Sequence, residues 1–207
     1  MNSAHYFSQA AQSWDQDPMK LARADAVASA IAQAVPLQTQ MAAMEFGCGT
    51  GLLSFALAKQ LGSILLVDNS SGMLAVLEEK IAAQQIKHMQ FAERDLTQED
   101  LPERQFDLIY SMMTFHHIAD TAQILSTLTG LLSQPGFLCI ADLDAEDGSF
   151  HGADFDGHKG FDRDGLRKLA ERAGLSNIRF ETVFTIHKNK DMGQGEFPVF
   201  LMVAEKD

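Results

Sequence analysis

Cysteine is almost missing from this chain. Its 207 residues include two, Cys48 and Cys139, with neither the number nor the spacing of a disulfide framework or a thiolate metal site. A chain of this length closes a sizeable core without such staples, and a reducing, cytoplasmic location is the expectation. Long apolar runs are missing too. No segment approaches the roughly 18 uninterrupted apolar residues of a membrane-spanning helix, and the start of the chain has no basic region followed by an apolar stretch, so no membrane span is expected. Positive charge is scarce: 16 Lys and Arg stand against 28 Asp and Glu, for a formal net charge of -12. The densest basic cluster, Lys188-Asn189-Lys190, is interrupted by Asn and followed by Asp191. It reads as a solvated hairpin loop, and a chain without a basic patch repels a phosphate backbone, so nucleic acid is not an expected partner. Proline-rich linkers, internal repeats and low-complexity segments are absent as well. One domain over residues 1–207 is therefore the expectation, with 1–35 as an N-terminal lid or helix region and 41–207 as a core of sheet and helices.

What is present is an alternation of two periodicities. After a polar start bearing aromatics, Asp17-Pro18 opens a helical pattern in which Leu21, Ala24, Ala28 and Ile31 share a face, and Pro36 stops it. Strand-like runs follow at 41–46, 64–67, 89–92, 108–112 and 137–143, separated by helical patterns at about 52–60, 72–84 and 120–132; another follows the fifth strand at about 163–173. Such alternation predicts a doubly wound α/β sheet, mostly parallel. The end of the chain breaks the rhythm: Ile178 to His187 and Phe197 to Ala204 are two strand-like runs, which predict a terminal antiparallel hairpin and seven strands in all.

The first strand runs into Glu45-Phe46-Gly47-Cys48-Gly49-Thr50-Gly51, and Leu52 opens the next helix. Alternate glycines let a ligand approach the main chain closely. A dinucleotide fingerprint would need Gly or Ala at position 52, and its absence separates this motif from that class. In a doubly wound sheet, ligands sit beyond the carboxyl ends of the strands. Asp68 stands there after the second strand, suited to accept both ribose hydroxyl hydrogen bonds. Asp95 follows the third strand, and Ser111, His116 and His117 follow the fourth.

In these residues the sequence resembles the class I S-adenosylmethionine-dependent methyltransferases, in the single-domain branch that methylates small molecules. Glu45 to Gly51 matches the motif that holds the methionine portion of the cofactor, Asp68 the acidic ribose ligand, and Asp95-Leu96 the adenine contact. Phe106 to Ser111 matches the fourth-strand motif, and Leu131 to Leu138 the turn into the fifth. The resemblance implies a Rossmann-like fold, methyl transfer from S-adenosyl-L-methionine with S-adenosyl-L-homocysteine as product, and a cofactor site made of Glu45, Gly47, Cys48, Gly49, Gly51, Asp68, Asn69, Met73, Asp95, Leu96 and Ser111. Cys48 reads as a small residue in a tight turn rather than a reactive thiol. The cofactor is a sulfonium cation without phosphates, which suits an edge rich in carboxylates.

The remaining polar residues bear on the acceptor. His117, and after it His116, are the candidates for a base that deprotonates a hydroxyl or amine acceptor. The segment from Asp142 to His158 is rich in Asp and His but lacks calcium-loop or zinc spacing. It reads as a substrate-facing loop, with His151 and His158 as contacts and no metal assigned. Tyr6, Phe7 and Trp14 precede the core, and in similar enzymes this region lies over the site, which makes Tyr6 and Trp14 substrate candidates; pinning the first helix to the core is the competing reading. Arg23 matches an arginine found on the following helix in similar chains. The fourth-strand exit, Ser111-Met112-Met113-Thr114, lacks the Asn/Asp-Pro-Pro-aromatic signature of amide and exocyclic nitrogen methylation, and the chain lacks the Pro-Cys nucleophile used on cytosine carbon. A small metabolite is the expected partner, with a hydroxylated aromatic or quinone precursor suggested by analogy. Two alternatives stand beside methyl transfer: a non-catalytic module that binds the cofactor and acts through a partner, and a nicotinamide-dependent oxidoreductase.

Overall fold

The computed structural model describes residues 3–99, 105–152, 155–188 and 195–207. Its centre is a seven-stranded sheet in the order β3-β2-β1-β4-β5-β7-β6, formed by β1 (Ala42–Phe46), β2 (Ser63–Asp68), β3 (Met89–Glu93), β4 (Phe106–Met112), β5 (Leu132–Leu143), β6 (Ser176–Lys188) and β7 (Gly195–Lys206). The first five strands are parallel, and β7 runs antiparallel between β5 and β6. Six helices flank the sheet: α1 (Ser3–Trp14), α2 (Pro18–Ala34), α3 (Leu52–Leu57), α4 (Ser71–Gln84), α5 (Thr121–Leu131) and α6 (Arg163–Arg172). The expected α/β class and terminal hairpin are both present.

Local chemistry sets the helix starts. Asp17, Ser70, Asp120 and Asp162 each accept a hydrogen bond from a backbone N–H of the first turn that follows, and α2 adds a proline there. The apolar faces then fill two layers. On one side Val27, Ile31, Leu53, Leu57 and Leu77 pack together, and on the other Ile124, Leu125, Leu128, Leu166 and Ala170. The central strands, covered on both faces, therefore carry near-continuous apolar runs.

Three elements differ from the sequence expectation. The first is α1, which lies against α4 with Ala11 buried; its stability comes from docking, which a short helix's own periodicity does not announce. The second is β5, which begins at Leu132, where that residue pairs with Phe106 directly at the end of α5. The third is the hairpin, whose strands extend beyond the expected ends. Asn189, Lys190 and Asp191 of the basic cluster, and Ala153 and Asp154 of the Asp- and His-rich loop, lie outside the described residues. No helix among the described residues is long and apolar enough to cross a membrane.

The order reverses between β1 and β4, which opens the crevice where such sheets bind ligands. Gly51, expected to touch cofactor, faces the core instead. It precedes α3 at φ 80°, and a Cβ there would stand 2.7 Å from Leu77 Cδ1 and 3.3 Å from Leu66 Cδ2. Overpacking and left-handed backbone strain together predict that Gly51→Ala lowers stability by about 1–3 kcal/mol. Urea denaturation checks this, as a lower midpoint with an unchanged slope.

Candidate functional site

A cavity of about 440 Å³ opens at the carboxyl edge of the sheet, across the β1/β4 reversal. Its floor is the glycine turn after β1. Thr114, just past β4, closes against that turn: a Cβ on Gly47, at φ 69°, would lie 2.3 Å from the Thr114 side chain. Thr114 Oγ1 also donates to Gly47 O at 3.2 Å. The approach is possible because position 47 has no side chain. Next to it, Met113 adopts φ 57°, unusual for a branch-free but bulky residue, and it too lines the cavity.

On the wall beside β2, Asp68 Oδ2 accepts from Gly49 N at 2.7 Å and Oδ1 accepts from Ser70 N at 2.8 Å. The carboxylate thus braces the glycine turn while keeping acceptor capacity toward the cavity. Burial raises its pKa, against the lowering effect of those backbone bonds. Glu45 is buried at the end of β1 and accepts a hydrogen bond from Ser54 Oγ, which in turn meets Tyr110 Oη at 2.7 Å. Its burial pushes its pKa up from 4.5 to about 8, with the neighbouring Asp68 adding to the effect. Asp95 accepts from Thr97 N and Thr97 Oγ1 at 3.0 and 2.6 Å, shaping the turn after β3.

Glu45, Gly47, Cys48, Gly49, Asp68, Asn69, Met73, Asp95 and Leu96 all line this one cavity. Ser111 does not: its buried hydroxyl turns inward and donates to Phe46 O at 2.8 Å. Burial raises the pKa of the Cys48 thiol well above its ordinary value, as expected for an inert residue in the turn.

The N-terminal segment does two jobs. Trp14 lines the cavity, as does Phe7, whose ring meets Trp14 edge-on at 5.7 Å and His117 at 5.2 Å. Tyr6 is exposed and outside the cavity wall, so the aromatic that reaches inward is its neighbour. One residue along a helix rotates the side chain by about 100°, and the sequence offered no phase to choose between them. The same segment is pinned down. Asp15 accepts from Thr50 Oγ1 at 2.5 Å and from Lys80 Nζ at 2.6 Å, and Ser8 Oγ meets Ser70 Oγ at 2.9 Å.

On the far wall, His116 and His117 play different parts. His116 is buried away from the cavity, with Nδ1 2.6 Å from Asp142 Oδ1. Asp142 sits below the ordinary carboxylate range although burial works against it, because His116 and backbone N–H groups stabilise its charge. His117 lines the cavity, and burial together with the His116 and His151 rings holds its pKa down to about 3. At neutral pH its lone pair is available, yet its basicity is low in this conformation. His151 stacks on Phe155 at 4.0 Å between ring centroids, next to both histidines. His158 is taken up structurally, with Nε2 2.9 Å from Ile118 O and 3.2 Å from Thr121 Oγ1. Among the described residues, Arg23 on α2 is a buried cation. It lines the cavity, and its Nε has no hydrogen-bond partner.

A sequence model described as a methyltransferase domain matches residues 43–136, from β1 into β5. A protein named an uncharacterized methyltransferase in Schizosaccharomyces pombe is 30% identical over 153 residues, which is 66% of this chain and 54% of that protein. The chain spans about half the length of the curated relatives it matches. Among solved structures, magnesium protoporphyrin IX methyltransferase from Synechocystis PCC 6803, with bound S-adenosylmethionine, has a TM-score of 0.67 at 18% identity, covering 91% of this chain and 80% of its own. The [4+2]-cyclase SpnF has a TM-score of 0.71 at 14% identity, covering 88% and 80%. At these identities the structural likeness speaks for the fold, which this chain shares with S-adenosylmethionine-binding methyltransferases. The sequence matches make residues 43–136 similar to a methyltransferase domain, and methyltransferase-named relatives match this chain as well.

Proposed function

We propose that this protein transfers a methyl group from S-adenosyl-L-methionine to a small-molecule acceptor. The observation that carries the reading is a buried guanidinium, Arg23, whose Nε is unpartnered, in a cavity also lined by Glu45, Asp68, Asp95 and Asp120, with Arg94 as its second guanidinium. A buried donor without a partner is costly. The cofactor's carboxylate answers Arg23, while its ammonium and sulfonium suit the acidic walls. The glycine turn admits it close to the main chain, Asp68 suits the ribose hydroxyls, and Asp95 with Leu96 lies where the adenine contact is expected.

A dinucleotide fits less well. Its phosphates would meet those carboxylates, and the sheet departs from the 3-2-1-4-5-6 order of nucleotide-binding oxidoreductases because β7 lies antiparallel between β5 and β6. Both features disfavour the nicotinamide alternative. The likeness to a [4+2]-cyclase keeps the non-catalytic or differently catalytic use of the same pocket in view, so turnover must be measured.

When bound, the cofactor supplies an electrophilic methyl group. The chain's part is alignment and exclusion of water, which in favourable cases contributes about 7–11 kcal/mol. Phe7 and Trp14 supply apolar surface to the cavity wall, where the Phe7 ring meets His117, and Met113 lines the same cavity. His117 is the residue on the acceptor side best placed to receive a hydrogen bond from an acceptor hydroxyl. The acceptor atom is open among oxygen, nitrogen and carbon, with a hydroxylated aromatic suggested by analogy, and S-adenosylhomocysteine release across a panel of phenols, hydroxy acids and amines tests it.

Calorimetry with S-adenosylmethionine, S-adenosylhomocysteine, adenosine and NADH separates the assignments. The first three bind and NADH does not. Asp68→Ala weakens all three through the ribose, by about 1.5–3 kcal/mol for each hydrogen bond lost to the charged group. Arg23→Met weakens S-adenosylhomocysteine but leaves adenosine unchanged, because adenosine has no carboxylate; equal losses for both ligands would remove Arg23 from that role. A second expectation concerns protons. Glu45 holds its proton at pH 7, since its value of about 8 lies above that pH, and a cation in the cavity favours the carboxylate. S-adenosylmethionine binding therefore releases a proton, and affinity rises as pH increases toward 8. Titrations in buffers of different ionisation enthalpy report this release, and Glu45→Gln abolishes it.

A further inference from the structure

We propose that His116, His117 and His151 bind a divalent transition-metal ion of the zinc class beside the part of the cavity wall that His117 forms. One ring nitrogen from each lies within 4.8 Å of the others. With Zn–N bonds of about 2.0–2.1 Å, a tetrahedral site needs nitrogens about 3.3 Å apart, so modest side-chain rotation closes the set. His117 is half-buried and His151 exposed, which leaves both room to turn. The third ring is fixed. Asp142 Oδ1 accepts from Nδ1 of His116 at 2.6 Å, which leaves Nε2 with its lone pair, as a carboxylate behind a metal-bound histidine does.

The segment carrying His151 is held in place from several directions. Its neck is closed by Ala145 N to Phe161 O at 3.0 Å and Glu146 N to Lys159 O at 2.9 Å, and His158 N donates to His116 O at 2.8 Å. Within it, Glu146 Oε2 accepts from Gly148 N and Phe150 N. These bonds bring a histidine from a distant stretch of chain back to the two that follow β4. Three neutral nitrogens favour zinc, cobalt, nickel or copper over magnesium and calcium, and three protein ligands leave a coordination position open. The charges around the site oppose each other: Lys188 faces His151 and disfavours a cation, while buried Asp142 favours one. An acceptor hydroxyl in the open position would be ionised by the metal, its proton leaving to solvent; that step rests on the methyl-transfer reading, whereas metal binding does not. Stacking of His151 on Phe155 is the competing account of the same geometry, a purely packed cluster.

The test uses the purified protein, stripped with a chelator and then titrated with Zn2+ against a chromophoric chelator and with Co2+ by visible absorption. The expected result is one stoichiometric equivalent, with the intense cobalt bands of a four-coordinate nitrogen site. His151→Ala and His117→Gln, each checked for retained fold by circular dichroism, weaken Zn2+ binding about tenfold or more, and the remote His88→Gln binds as the parent does. Absence of stoichiometric uptake, uptake unchanged in both cluster variants, or an equal loss in His88→Gln overturns the site. The same samples are titrated with S-adenosylmethionine. Cofactor binding without metal uptake strikes the metal site alone, and metal uptake without cofactor binding strikes the methyltransferase reading alone.

Discussion

The buried Asp142 carboxylate is the constraint on which the turn after β4 and the loop after β5 depend. A carboxylate with no exposure must be satisfied by donors, and it takes them from His116 Nδ1, from His116 N and from Leu143 N. That single requirement fastens the exit of β4 to the exit of β5. With His116 held inward, the next residue turns toward the cavity, and the main chain of His116 remains free to accept His158 N. One buried charge thereby sets the post-β4 turn, the direction of His117 and the anchorage of the loop that brings back His151.

The cofactor side is organised by a different device, steric rather than ionic. Thr114 fills the space a side chain on Gly47 would take, so the turn after β1 packs directly on the turn after β4. Asp68 ties the same turn to the start of α4, and Thr50 and Lys80 tie it to Asp15. The cavity floor is thus linked to α4, to Asp15 just beyond α1 and to the ends of β1, β2 and β4, which gives a ligand a wall with little freedom to shift.

Much of this was legible in the residues. The glycine turn, Asp68 and Asp95 were legible as cavity residues because they follow strands at the edge where a doubly wound sheet opens its crevice, and the alternating pattern carried the fold. The departures share a cause: the sequence states which residue is present but not where its side chain points. Ser111 and Gly51 sit in the matched motifs yet face the protein, and of the adjacent His116 and His117 only the second lines the cavity. Tyr6 and Phe7 differ only in phase along a helix whose existence depends on docking against α4. Arg23 was visible as a match, but its missing partner was not, since an unmade hydrogen bond leaves no trace in a sequence. The three-histidine cluster was invisible for a related reason, because its members lie on two segments and follow no regular spacing.

Trp14 is the chain's one tryptophan, and it stands in the cavity wall with the Lys20 ammonium 3.4 Å from its ring centre. The molecule therefore carries a single indole chromophore, located at the mouth of its own pocket and nowhere else. Its ultraviolet emission is an optical record of what enters, with no background from other indoles.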